Sequence, residues 1–435
     1  MRALIVGGGA REHCIAWSLA RGRWADSVIA APGNPGIGQL CECFDVPAHD
    51  IEGLIELTKK TRPDLVVIGP EIPLVAGLAD ALAEIGVSVF GPRKAAAMLE
   101  GSKDFAKTVM ASRSVPTADH GSFDDVDEAL AYLKRVEGQV VVKADGLAAG
   151  KGVVVCDSKS DARDAVIDAM TSHRFGDAGR TVLIEQRLFG EELSVLAFCD
   201  GSSFALMPPA QDYKQAYDYD QGPNTGGMGA FSPVPSYTEQ IASQVASSII
   251  EPVLDVLVDY GGYVGVLYAG LMLTDQGPKV IEFNCRFGDP ETQALLPRLD
   301  SDLGEIMAAC TQGSLAGTKI DWSMDACLTV VAASRGYPET ERIVSGFDIT
   351  GVNEAENVAG MPVFHAATQM NAGRLTTAGG RVLSVCAKAE TVTLARQNAY
   401  EAISHIKFEG MRYRSDIGAE VRGRSPEETM EENDE

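Results

Sequence analysis

The chain has 435 residues, 45% of them hydrophobic and 23% charged, a globular composition with length for about three domains. Its formal charge of −24 excludes nucleic acid and anionic membrane as general partners, so an anionic substrate would need a local basic site. The nine cysteines include no Cys-x2-Cys pair, and Cys41-x-Cys43 has no second pair to complete a zinc site, which points to reduced thiols and a cytoplasmic location. Residues 3–9, ALIVGGG, read as a buried parallel strand that enters a glycine turn, and Arg11 to Ala20 read as a helix. No signal peptide is expected ahead of that strand, and no apolar run of about 18 residues marks a membrane span.

Strand, glycines and helix open a Rossmann-like unit, but the dinucleotide fingerprint is incomplete. Glu12 stands at the third glycine position, and the strand at 27–31 ends in Pro32-Gly33-Asn34 without an acidic residue for a ribose. A smaller phosphate-bearing ligand at the helix N-terminus fits better than a nicotinamide dinucleotide. Strands at 64–70 and 87–92 flank a helix around Val75–Ile85, giving a parallel sheet with functional loops at the strand carboxyl ends. Pro32-Gly33, Gly69-Pro70 and Gly91-Pro92 mark three such ends, and turn chemistry alone also explains each.

A boundary falls near residue 100. Ser102 reads as a helix N-cap, and Lys103 in the first turn opposes the helix dipole, which makes it either an anion ligand or a solvated lysine. Residues 117–190 read as a small α/β lobe with helices at 124–136 and 160–171. Its centre is VVKADGLAAGKGVVV, a strand, a loop loosened by Gly146, Gly150 and Gly152, and a second strand. Glycines at such a bend let backbone N–H groups converge on an anion, with Lys143 and Lys151 alongside. A strand rather than a helix follows Lys151, so the loop is no Walker A loop; it is a flap over a triphosphate or a plain glycine-rich hairpin. Glu185 and Gly190-Glu191-Glu192 follow the lobe's last strand like an interlobe hinge able to hydrogen-bond a base and ribose.

The chain then returns to a larger lobe. A hairpin turns at Asp200-Gly201, and residues 208–235 form a long irregular stretch with Tyr213, Tyr217, Tyr219 and Phe231, read as an ordered substrate loop. A helix at about 238–260 precedes two strands paired through Asp275-Gln276-Gly277. The second ends in Glu282-Phe-Asn-Cys-Arg286-Phe-Gly-Asp289-Pro-Glu291. Glu282 and Asn284 share a strand face, and a carboxylate with an amide oxygen beside phosphate suits Mg²⁺. Arg286 is aimed at phosphate or carboxylate, or it pairs with Asp289 or Glu291. From Ala326 short strands and a helix at about 391–406 form a small α+β domain, and the tail after Ser425 is acidic and expected to be disordered. The six histidines do not cluster; His13, beside the first glycine loop, is the one worth testing against a surface or core role.

Together GGGAREH, APGNPG, GPEIPLVAG, EGSKDFAK, VKADGLAAGKGV, the GEELS hinge, GPNTGGMGAFSP, GLMLTDQGPKVIEFNCRFGDPETQ and RYRSDIG run in order over residues 5–418. They resemble the glycinamide ribonucleotide synthetases, the phosphoribosylamine–glycine ligases of the ATP-grasp superfamily. The resemblance implies an α/β and α+β multidomain chain: a Rossmann-like domain at 1–101, an ATP-grasp core at 102–325 with 117–190 as a mobile small lobe, a C-terminal α+β domain at 326–424 and the tail at 425–435. It implies ATP contacts from Lys103, Lys143, Gly146, Ala149, Gly150, Lys151, Gly152, Glu185, Leu188 and Glu192, and Mg²⁺ or Mn²⁺ on Glu282 and Asn284. The phosphoribosyl substrate would meet Gly8, Gly9, Gly33, Asn34, Asp212, Lys214, Asn224, Gly227, Arg286, Asp289 and Glu291.

The implied reaction joins glycine to 5-phosphoribosylamine through glycyl phosphate, with Lys143 and Arg286 steadying the transferred phosphoryl group, in a cytoplasmic monomer or weak homo-oligomer. One departure concerns substrate contacts. Where many members of that family carry Asp-His-Lys-Arg, this chain has Asp212-Tyr213-Lys214-Gln215, and Arg11 or Arg335 is a candidate to replace the missing cation. A second is the lack of another metal carboxylate on the preceding strand, where Met272 stands. Other readings are a different ATP-grasp carboxylate–amine ligase or carboxylase, a non-catalytic nucleotide-binding protein and, last, an NAD-dependent enzyme.

Overall fold

A computed structural model describes residues 1–147, 152–172 and 176–419. The predicted ligands Ala149, Gly150 and Lys151, and the acidic tail, lie outside the described residues. The chain is α/β and α+β multidomain, built on successive sheets. The first is parallel: Arg2–Gly7 at its centre pairs with Ser27–Pro32 on one side and Leu65–Ile68 on the other. The β-branched and aliphatic runs of these strands are buried on both faces, as a sheet covered by helices requires. The helix expected around Val75–Ile85 is two helices, Glu71–Ala76 and Leu78–Glu84. Gly77 divides them at φ 96°, a left-handed conformation that favours glycine.

The small lobe is an antiparallel sheet in the order His120–Phe123, Val182–Gln186, Val140–Ala144, Val153–Cys156. Helices Val126–Arg135 and Lys159–Thr171 cover one face, and Leu133, Val140, Val142, Val166 and Ile184 belong to a core separate from the rest of the molecule. The large lobe pairs Glu191–Asp200 with Val264–Thr274, and that strand with Gly277–Asn284. At the hinge Gly190 has φ 150°, and a Cβ there would collide with the Leu273 carbonyl.

Two expectations change. The irregular stretch 208–235 contains short strands, two of which extend the C-terminal domain's sheet: Gln211–Asp212 pairs with Gly229–Ser232, which pairs with Ala326–Ala333. Strands of two to four residues rich in glycine and proline carry no alternation, so only their partner strand reveals them. Secondly, one helix among the described residues, Glu239–Tyr260, is long and apolar enough to cross a membrane by length and composition. It contains a π-turn at Ala246–Ile250, and Val245, Ile249, Ile250, Val253 and Leu257 are buried in the main core. The C-terminal sheet continues through Arg381–Ala389 to Val363–His365, with Val392–His405 packed against it.

Candidate active site

The cleft between the two lobes gathers cations. Ser102 caps the helix Lys103–Ser112 by accepting the Phe105 N–H at 3.1 Å. Asp145, just after the strand Val140–Ala144, accepts the Ser102 hydroxyl and the Asp104 N–H at 2.8 Å. A carboxylate at this helix start offsets the unfavourable placement of Lys103 against the dipole. The Lys103 ammonium lies 3.3 Å from the Gly146 carbonyl. Burial lowers its pKa from the ordinary lysine value; Glu282 opposes that shift and Lys143 adds to it.

Lys143 is buried and donates to Glu185 Oε2 and to the Ile281 carbonyl, both at 3.0 Å. Its ammonium therefore bridges the small lobe to the large-lobe strand. A second buried lysine, Lys107, reaches the same carboxylate oxygen at 3.1 Å. Burial opposes ionisation of Glu185, but Lys143 and Lys107 outweigh it and hold the carboxyl below its usual range.

Across the cleft, Glu282 and Asn284 lie on the strand Gly277–Asn284. Burial disfavours the Glu282 charge, yet Lys214, Lys143, Lys103 and Arg286 together lower its pKa. Lys214 sits between carboxylates, 3.2 Å from Glu192 Oε2 and 3.9 Å from Glu282 Oε1. Among the described residues no group of three His, Cys, Asp or Glu side chains could enclose a metal ion. A carboxylate and an amide oxygen beside four cations suit a hard ion that shares itself with phosphates, so the donor set fits Mg²⁺ or Mn²⁺ brought with a nucleotide.

Arg286 departs from the reading that pairs it with its chain neighbours. It pairs with neither Asp289 nor Glu291 but with Glu71 at 3.2 Å and Glu100 at 2.9 Å. It also donates to Asn284 Oδ1 at 3.1 Å and to the Phe287 carbonyl at 3.2 Å. Asp289 instead pairs with Arg381 at 3.0 Å, and Glu291 accepts the Tyr268 hydroxyl at 2.6 Å and the Ser194 hydroxyl at 3.2 Å. Ser194 also lies 3.4 Å from Asp212, which places Asp212 and Glu291 in one buried hydroxyl network.

A cavity of about 350 Å³ opens where three domains meet, lined by Gly8, Gly9, Asp289, Tyr337 and Arg381 among others. Asn34 braces one wall, donating to the Gly8 and His365 carbonyls at 2.9 and 2.7 Å. Gly33 turns beside it at φ 69°. On the other wall, Arg381 donates to the carbonyls of Gly226 and Asp289, and the Tyr337 hydroxyl accepts the Gly226 N–H at 2.9 Å. Gly227 closes this turn at φ 107°, while Asn224 accepts from Gln215 at 3.4 Å. Leu188, half-buried, follows the last small-lobe strand. Another cavity, of about 340 Å³ near Ser202 and Glu251, touches none of the predicted residues.

Sequence reasoning missed Lys107, Glu100, Tyr337 and Arg381. Each acts through partners remote in the chain, and no local spacing signals them. Of the two candidate replacement cations, Arg11 donates to Glu12 and the Phe287 carbonyl and helps lower the pKa of Asp289, and Arg335 is exposed. Arg414 stacks 4.8 Å over the Tyr213 ring, donates to the Gln215 carbonyl at 3.1 Å and pairs with Asp220 and Asp416.

His13 proves to be a core residue. Its Nδ1 accepts the His365 N–H at 2.8 Å, and burial, then the proximity of His365, lowers its pKa to about 3; burial lowers that of His365 to about 4. Both rings are therefore neutral in the fold but gain protons in the unfolded chain below its value near 6.5. Their contribution to stability is complete above that value and falls as pH drops toward the folded values. Urea unfolding is expected to lose about 1.4 kcal/mol per pH unit for each ring below about pH 6. His13→Asn, which keeps an acceptor near Nδ1, should remove about half of that slope; an unchanged slope would refute the assignment.

Comparison with known proteins agrees over most of the chain. The profiles of the phosphoribosylglycinamide synthetase N domain, ATP-grasp (A) domain and C domain match residues 1–100, 101–292 and 327–420. A phosphoribosylamine–glycine ligase of Caldanaerobacter subterraneus is 45% identical over 96% of this chain and 100% of its own length. The ligase of Caulobacter vibrioides is 47% identical over 95% of this chain and 97% of its own. The crystal structure of phosphoribosylamine–glycine ligase from Thermotoga maritima superposes with a TM-score of 0.82 at 33% identity, covering 96% of this chain and 100% of that one. A biotin carboxylase from Campylobacter jejuni shares the fold, with a TM-score of 0.71 at 15% identity over 96% of this chain and 94% of its own.

Proposed function

Because the chain belongs to the phosphoribosylglycinamide synthetase family, we propose a division of labour among its residues for joining glycine to 5-phosphoribosylamine. The chain is an ATP-dependent ligase of purine biosynthesis. The observation that carries the proposal is the convergence of Lys103, Lys143, Lys214 and Arg286 on Glu282 in a protein of charge −24. Such a cluster is suited to a polyphosphate and a transferring phosphoryl group.

In this reading the adenine lies against Glu185 and the backbone near Leu188, with the ribose at Glu192. Lys103 and Lys143 hold the phosphates beside Gly146 and Gly152. Glu282 and Asn284 would hold the divalent cation, Mg²⁺ or Mn²⁺, which supplies charge neutralisation on the ATP phosphates when bound. Phosphate transfer to the glycine carboxylate gives glycyl phosphate; the amine of phosphoribosylamine displaces phosphate and forms the amide. Arg286 positions Asn284 and steadies the reacting groups.

The cavity between Gly8, Gly9, Asp289 and Arg381 would take the phosphoribosyl part, walled by Gly33, Asn34, Asn224 and Gly227. Asp212 and Glu291 support that wall from their hydroxyl network, and Lys214 bridges it to the nucleotide site. The separate core of residues 117–190 supports a lobe that closes on ATP and shields the acyl phosphate from water. A monomer or weak homo-oligomer is part of this reading. The nine free thiols support a cytoplasmic location.

Phosphate release from ATP should require glycine, and hydroxylamine should trap glycine hydroxamate when phosphoribosylamine is withheld. Equal release without glycine would overturn the reading.

A further inference from the structure

Lys107 donates to Glu185 Oε2 at 3.1 Å and to the Thr117 hydroxyl at 2.8 Å, and that hydroxyl donates to the Val280 carbonyl at 2.7 Å. Lys143 donates to the same Oε2 and to the neighbouring Ile281 carbonyl. Both ammoniums are thus tied at second points, and both load one oxygen. The other, Oε1, is buried with no hydrogen-bond partner among the described residues, in a side chain only 4% exposed. A buried carboxylate oxygen without a donor is costly, so this one is poised for an N–H from outside the protein.

We propose that Lys107 is a positioning residue that makes the base site select a 6-amino purine over a 6-oxo purine, by fixing Glu185 as an acceptor-only carboxylate. The inference rests on the reading that the adenine of ATP lies at Glu185. An ionised carboxylate accepts an exocyclic N–H and repels a carbonyl at the same place. Burial alone would drive the group toward its protonated form, which can donate to a 6-oxo base. One lysine, Lys143, is shared with the large lobe through Ile281; the second charge keeps the proton off.

The test compares kcat/KM for ATP and ITP, with glycine and phosphoribosylamine saturating, in the full-length enzyme and its variants. ADP and IDP dissociation constants provide a readout independent of turnover. Lys107→Gln, which keeps a donor but removes the charge, should compress the ATP-to-ITP ratio by about tenfold or more, chiefly through KM and Kd. Lys107→Arg should retain the ratio. If Lys107→Gln lowers activity on both nucleotides equally, Lys107 is merely structural and the proposal fails. Glu185→Gln, which presents an amide donor, should shift preference toward ITP. If Glu185→Gln leaves the ratio and the ADP dissociation constant unchanged, the base is not at Glu185 and the underlying reading fails. A shift with Glu185→Gln but none with Lys107→Gln sinks the Lys107 inference alone.

Discussion

Arg286→Ala is expected to lower kcat by about 10²- to 10³-fold and to destabilise the fold by about 3–5 kcal/mol. The two effects have separate origins. Arg286 neutralises Glu71 and Glu100, and Glu100 is buried; burial already raises its pKa despite the guanidinium beside it. Removing the guanidinium leaves two carboxylates with no counterion at these distances. The catalytic loss arises because Arg286 also fixes the Asn284 amide oxygen. Glu100→Gln in the Arg286→Ala background should therefore recover much of the stability, read by urea unfolding, without recovering turnover. Near-normal turnover in Arg286→Ala would sink its proposed role.

Glu282→Ala should have the other large effect, losing most activity even at raised Mg²⁺. Glu282 is the anion on which Lys214, Lys143, Lys103 and Arg286 act together. Its removal deletes one of the two proposed cation ligands and concentrates positive charge. Metal-free ATP should then bind at least as tightly as to the unchanged enzyme, while the gain from adding Mg²⁺ shrinks. Full rescue of turnover by raised Mg²⁺ would argue against direct coordination. Weakened metal-free binding would argue that the carboxylate orients the lysines instead.

The two variants probe one strand end whose local geometry was legible and whose partners were not. Glu282 and Asn284 share a face because strand side chains alternate, a rule needing only a two-residue spacing. Arg286 lies just beyond, and its partner Glu71 is 215 residues away. The choice between Glu71, Glu100, Asp289 and Glu291 depends on how the first parallel sheet packs against the large lobe. No nearby spacing encodes that packing. The same limit explains Arg381, which pairs from the C-terminal domain with Asp289, and Lys107, which meets Glu185 on a strand of the small lobe.

By itself the sequence determined the alternation of strands and helices, the glycine hairpin, the Ser102 cap with Lys103 behind it, and the α/β and α+β class. These follow from short-range rules: β-branched runs, side-chain periodicity and hydrogen-bonding groups within a few residues of one another. Tertiary structure alone decided that residues 211–232 contribute edge strands to the C-terminal sheet. It also made His13 a neutral core residue and bonded two lysines to one oxygen of Glu185. In each case the deciding energy is burial and pairing against a remote segment. Desolvation sets the cost of a charge, and only the packed neighbour determines whether that cost is met.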